Sequence, residues 1–161
     1  MLQTIQTKKD IALLWSHNKK THPNWLDSIM KEQPLFVWWD VAWSLRANLQ
    51  TPLTGYIWST VDRPLGVTHK VIVENYDSQP TEDRIEEAAR SWNESDIRFN
   101  ENSPLLLYKR KENKWCTLLK LSNFTELKKR GKLNDFIVVN TGMAPLRGPQ
   151  SHYIVFDPQL L

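Results

Sequence analysis

The stretch Leu35-Phe36-Val37-Trp38-Trp39-Asp40-Val41-Ala42-Trp43 decides how the chain is read. Aromatic and β-branched residues dominate it. At a two-residue period Val37, Trp39, Val41 and Trp43 take one face, and Phe36, Trp38, Asp40 and Ala42 take the other. A strand apolar on both faces is expected at the centre of a sheet. Gly55-Tyr56-Ile57-Trp58-Ser59-Thr60 reads as a second strand, ended by Asp62, Pro64 and Gly66. A third follows over residues 67–76, where Val67, His69, Val71, Val73 and Asn75 alternate with Thr68, Lys70, Ile72 and Glu74.

Upstream, residues 1–33 are expected to form a helical extension. Asp10 caps a stretch with Ile11, Leu14 and Trp15 at helical spacing, and Trp25, Leu26, Ile29 and Met30 make a second apolar stripe. Downstream, Ile85, Ala88, Ala89 and Trp92 predict an amphipathic helix that starts at Thr81 with Glu82 and Asp83 in its first turn. Strands at 105–110 and 114–121 are joined by a polar turn and read as a hairpin. A short helix is expected over 124–130, stopped by Gly131. Strands at 136–139 and 153–156 flank a long loop. Short strands mixed with short helices, without regular βαβ alternation, predict a single α+β domain over 1–161. Its expected architecture is a mixed β-barrel of about six strands surrounded by short helices, over 34–158.

The composition agrees with one globular domain: 161 residues, 40% apolar and 24% charged. A single cysteine, Cys116, excludes a disulfide framework and suits a reducing, cytoplasmic setting. No apolar run approaches the roughly 20 residues needed to span a bilayer, and the first residues carry no signal-peptide pattern, so no membrane association is expected. Charge is segregated. Residues 74–101 hold nine acids and three bases, whereas residues 102–161 hold ten bases and four acids. The clusters Lys109-Arg110-Lys111 with Lys114, and Lys128-Lys129-Arg130 with Lys132, suit either a phosphate-binding face or solvated turns.

Phosphate-loop, dinucleotide, metalloprotease and serine-hydrolase motifs are all missing from the sequence. His17, His22, His69 and His152 have no metal-ligand spacing with one another or with Cys116. No catalytic residue, metal or cofactor is therefore expected, and a binding module is favoured over an enzyme.

Eight tryptophans against five glycines need an explanation. Trp15, Trp25, Trp92 and Trp115 lie on apolar stripes or strands and are assigned to the core. Trp38, Trp39, Trp43 and Trp58 crowd two neighbouring strands, and they suit either a core or a ligand cage. A flipped nucleobase needs aromatic walls and hydrogen bonds at its edge.

The aromatic strand at 36–40, the strand at 55–59, the strand at 67–73, the acidic helix and the basic hairpin resemble, in order, PUA-like domains of the EVE and YTH kind. Residues 118–122 and 145–153 are similar to the closing part of those domains. The resemblance implies a nucleic-acid reader that flips a modified, methylated base into an aromatic cage. Such domains also form the N-terminal DNA-binding part of McrB-type modification-dependent restriction systems, so DNA is favoured over RNA. An AAA+ motor would then come from further domains or subunits. By position, Trp38, Trp39, Trp43, Tyr56 and Trp58 would line the cage, with Asp40 and Ser59 bonding the base edge. Lys109, Arg110, Lys111, Lys114, Arg147, Gln150, Ser151 and His152 would hold phosphates. Two alternatives stand beside this reading. One is a general RNA-binding PUA-like domain without a cage. The other is a small nucleoside-acting enzyme of the related ASCH type, using His69, Asp40 or Lys70.

Overall fold

The computed structural model describes residues 10–17, 25–41, 43–60, 65–78, 80, 81, 83, 84, 87 and 117–161, without the side chains of residues 25 and 40. In chain order the elements are β1 (Ile11–His17), α1 (Trp25–Glu32), β2 (Val37–Val41), β3 (Leu53–Ser59), β4 (Gly66–Ser78), β5 (Thr117–Gly131), a 3₁₀ turn (Leu133–Asp135), β6 (Ile137–Val138) and β7 (His152–Phe156). The seven strands form one mixed sheet in the order β2-β5-β4-β3-β1-β7-β6. Strands β1 and β3 run parallel, and the other pairs are antiparallel.

This corrects the expected barrel. Among the described residues the terminal strands β2 and β6 pair on one side only, so that the sheet is open, and one α-helix accompanies it rather than a ring of short helices. That helix is too short to cross a membrane, and no described helix is long and apolar enough to do so.

Three local expectations fall with the barrel. Residues 11–17 form a strand, not a helix, and its neighbours are β3 and β7. Leu13 and Trp15 point into one core while Ala12 and Leu14 point into another, so every position from 12 to 15 is fully buried. A strand buried on both faces is apolar throughout, and over so few residues it cannot be told from a helix by spacing alone. Residues 124–130 are likewise strand. Asn123 adopts φ 52°, and three register shifts between β4 and β5 bend the ladder so that the strand continues to Gly131. Strand β2 lies at the edge rather than the centre. Its inner face, Val37, Trp39 and Val41, is buried, while Trp38 opposite Lys120 is only half-buried. The helix expected from residue 81 is described only at 83, 84 and 87, which are helical, and the first hairpin strand lies outside the described residues.

Each sheet face has its own core. On one, Trp15, Trp39, Ile57, Val71 and Leu119 pack under Leu26 and Ile29 of α1. A side chain at Gly55 would stand 2.7 Å from the Trp15 ring and 2.9 Å from Val71, so this position admits only glycine without rearrangement. On the other face, Tyr56, Trp58, Phe136 and Val155 pack beneath the last residues of the chain. There the Tyr56 hydroxyl donates to Asp157 Oδ1 at 2.5 Å and accepts from the Leu160 N–H at 3.2 Å. Lys70 Nζ donates to the Leu160 carbonyl at 2.8 Å.

Candidate functional site

Strand register assembles the candidate site. In the parallel pair His17 stands opposite Ser59. In the next two ladders Ile57 stands opposite His69, and His69 opposite Glu126. Because Ile57 and Ser59 lie two residues apart, they share a face. That face also carries Trp15, and at its end lies a cavity of about 230 Å³. Leu26, Met30 and Ile57 form its apolar walls. His17, Asp27, Ser59, Thr68, His69, Glu126 and Arg130 supply its polar lining.

Helix α1 provides one wall because its apolar stripe faces the sheet. Leu26 and Ile29 are buried and Met30 packs beside them, which leaves Asp27 exposed at the rim. His17 and Ser59 are each 5% exposed. The His17 ring meets Trp39 edge-on at 5.3 Å, and His69 Nδ1 lies 2.8 Å from the Thr68 hydroxyl. The cavity thus holds a guanidinium, two imidazoles, two carboxylates and two hydroxyls. Opposed charges suit a neutral ligand rich in donors and acceptors better than a multiply charged anion.

A larger depression of about 430 Å³ lies at the opposite end of β1 and β3, lined by Asp10, Asn48, Gln50 and Asp157 among others. Its carboxylate Asp157 already accepts from Tyr56 and from the Gln159 N–H. The smaller cavity gathers the wider range of polar side chains. Among the described residues no three His, Cys, Asp or Glu side chains come together to hold a metal ion.

The rings singled out in the sequence divide between the two faces. Trp39 is 3% exposed and stacks on Phe124 at 6.2 Å. Trp38 and Trp43 lie half-buried at the rim of the same core, and Trp43 stacks on His152 at 4.2 Å. Tyr56 and Trp58 belong to the opposite core, where Gly148 closes over the Trp58 indole. These rings do not converge on one opening. Ser59 alone of the expected base contacts lines the cavity, and the Asp40 side chain lies outside what is described.

Among the expected phosphate contacts, Lys109, Arg110, Lys111 and Lys114 lie outside the described residues. Arg147 and Gln150 are exposed. The Ser151 hydroxyl bonds His152 Nδ1 at 2.7 Å, and burial holds the His152 imidazole below its ordinary pKa. Of the residues tied to the ASCH alternative, His69 lines the cavity and Lys70 is engaged with the chain terminus. The sequence reading missed His17, Asp27, Thr68, Glu126 and Arg130 as site residues. Only the basic run ending at Arg130 signalled any of them.

No family model matches the chain, and no curated protein matches it. Solved structures do. A serine-to-alanine variant of ZmASCH from Zymomonas mobilis superposes with a TM-score of 0.51 at 12% identity, over 88% of this chain and 85% of that one. A tyrosine-to-phenylalanine variant of the same protein gives 0.47 at 12% identity, over 88% and 87%. The first of these likenesses agrees in fold with the PUA-like part of the sequence resemblance, while its EVE and McrB part is not confirmed. At this identity the likeness is one of fold: the chain is built like ZmASCH.

Proposed function

We propose that this chain is an ASCH-like nucleic-acid-binding protein that takes one unpaired nucleoside of RNA into the cavity beneath α1. The observation that carries this reading is the cavity itself, where strand register gathers His17, Ser59, His69 and Glu126 beside Arg130. At about 230 Å³ it is smaller than the usual range for drug-sized ligands and suits a single heterocycle. Apolar Leu26, Met30 and Ile57 offer contact to a ring, and the mixed donors and acceptors suit a base edge. A paired base cannot reach such a recess without leaving its stack, whereas single-stranded RNA presents unstacked bases.

A titration of tryptophan fluorescence with free nucleosides, a single-stranded RNA decamer and a duplex tests the reading. The single strand is expected to bind more tightly than the duplex. Arg130→Ala and His69→Ala should each weaken nucleoside and decamer alike, by about tenfold for the loss of a charged hydrogen bond. Unchanged affinity in both variants would sink the cavity reading.

The pairing of His17 with Ser59 favours a second reading, in which the same cavity hydrolyses a modified nucleoside. Turnover that disappears in Ser59→Ala would establish it. Binding without turnover across acylated and alkylated nucleosides leaves the protein a binding module.

A further inference from the structure

We propose that the outer face of β2 and β5 is a stacking platform for single-stranded RNA, with bases on Phe36 and Trp38 and a phosphate on Lys120. This rests on the nucleic-acid reading above but not on the cavity, whose lining includes none of these three residues.

Trp38 and Lys120 stand opposite each other in the antiparallel ladder. The Lys120 ammonium lies 4.2 Å from the centre of the Phe36 ring and 5.9 Å from that of Trp38. Phe36 is 39% exposed, so core packing does not account for it. Among the described residues Lys120 has no carboxylate within ion-pair distance. Arg84, 6.0 Å from the Trp38 ring, is instead held by Asp77 at 3.3 Å and Glu87 at 3.4 Å. An ammonium placed between two aromatic rings, with no acid beside it among the described residues, complements a ligand carrying both negative charge and flat π-surfaces, and unpaired nucleotides carry both in each unit. The neighbouring Trp39 is locked in the core, so the strand that presents the platform is rigid.

The test compares a fluorescent oligouridylate decamer with free uridine across salt concentrations. Phe36→Ala and Lys120→Gln are each expected to weaken the decamer at least about fivefold, the lower end of what loss of one stacked base costs. Lys120→Gln should also reduce the slope of log affinity against log salt by about 0.7, the single-strand value for one phosphate. Uridine affinity stays unchanged in both variants. Should Phe36→Ala fail to fold, Phe36→Leu removes the π-face and keeps the bulk. Parent-like decamer affinity and salt slope in folded variants would overturn the platform. So would a concentration-dependent dimer that Phe36→Ala turns into monomer, since a second copy would then be the occupant. If uridine binding ignores Arg130→Ala while the decamer still needs Phe36 and Lys120, the cavity reading falls and the platform stands. The reverse pattern removes the platform alone.

Discussion

On one face of the sheet, Tyr56, Trp58 and Phe136 are sealed by the chain's own last residues, whose backbone is tied to Tyr56 and Lys70. On the other, Trp15, Trp39 and Ile57 are sealed by α1, eight residues long, and beside that helix the cavity opens. The difference lies in what the polar side chains surround. On the first face Tyr56, Asp157 and Lys70 bond one another or the terminal backbone, so they serve the fold. On the second, His69, Ser59 and Arg130 are gathered around a space. A helix of two turns is marginal alone, so α1 depends on the packing of Leu26 and Ile29 against the sheet to cover the cavity.

The largest effect that tests this division comes from the helix-side core. Trp15→Ala should cost about 3–5 kcal/mol in urea denaturation, as for other large aromatic truncations, and a loss below about 1 kcal/mol would show that this face contributes little. Gly55→Ala probes the same contact by crowding the Trp15 ring, with an expected cost of about 1–3 kcal/mol.

An intermediate effect is expected on the sealed face. Tyr56→Phe removes a donor to Asp157 and should cost about 1–2 kcal/mol without altering nucleoside affinity. A changed affinity would break the separation of the two faces. Burial, together with the bond to and charge of Asp157, pushes the Tyr56 phenol above its ordinary value near 10. Because the folded pKa is the higher one, this stabilisation is complete below pH 10 and is lost as pH rises beyond it. Denaturation between pH 8.5 and 11 should therefore show an alkaline decline that Tyr56→Phe lessens.

The smallest effect concerns the Trp43–His152 stack. Burial keeps His152 below the ordinary value of about 6.5. The neutral ring's contribution is thus present above that pH and is lost as pH falls through the folded pKa. His152→Gln should cost about 0.5–1 kcal/mol at neutral pH, the worth of one aromatic pair, and should reduce the stability lost between pH 7 and 5. Equal loss in both proteins would remove His152 from the account.

Strand β4 was legible through its alternation, and β3 and β7 through their aromatic and β-branched residues next to turn residues. Strand β1 was not, because Ala12, Leu13, Leu14 and Trp15 are all buried and a two-sided strand has no period to read. Residues 124–130 imitate a helix through Phe124, Leu127 and Arg130, yet their partner β4 and the bend at Asn123 hold them extended. The aromatic strand β2 was recognised but placed at the centre, since nothing local distinguishes rings covered by protein from rings covered by a lysine. The site was hardest to see. His17, Ser59, His69 and Glu126 come together only through three ladder registers, and register is a property of paired strands that no single stretch encodes.

The adjacency of β1 and β7 has a kinetic meaning. Residues 11–17 lie between residues 53–59 and 152–156, so an inner pairing of the sheet joins the earliest described strand to the last. Pairings this distant in sequence give a high contact order, for which folding in milliseconds to seconds is the expected range. During synthesis one edge of β1 must wait, exposed, until β7 has emerged, and in that interval the nascent chain is most open to strand-mediated aggregation.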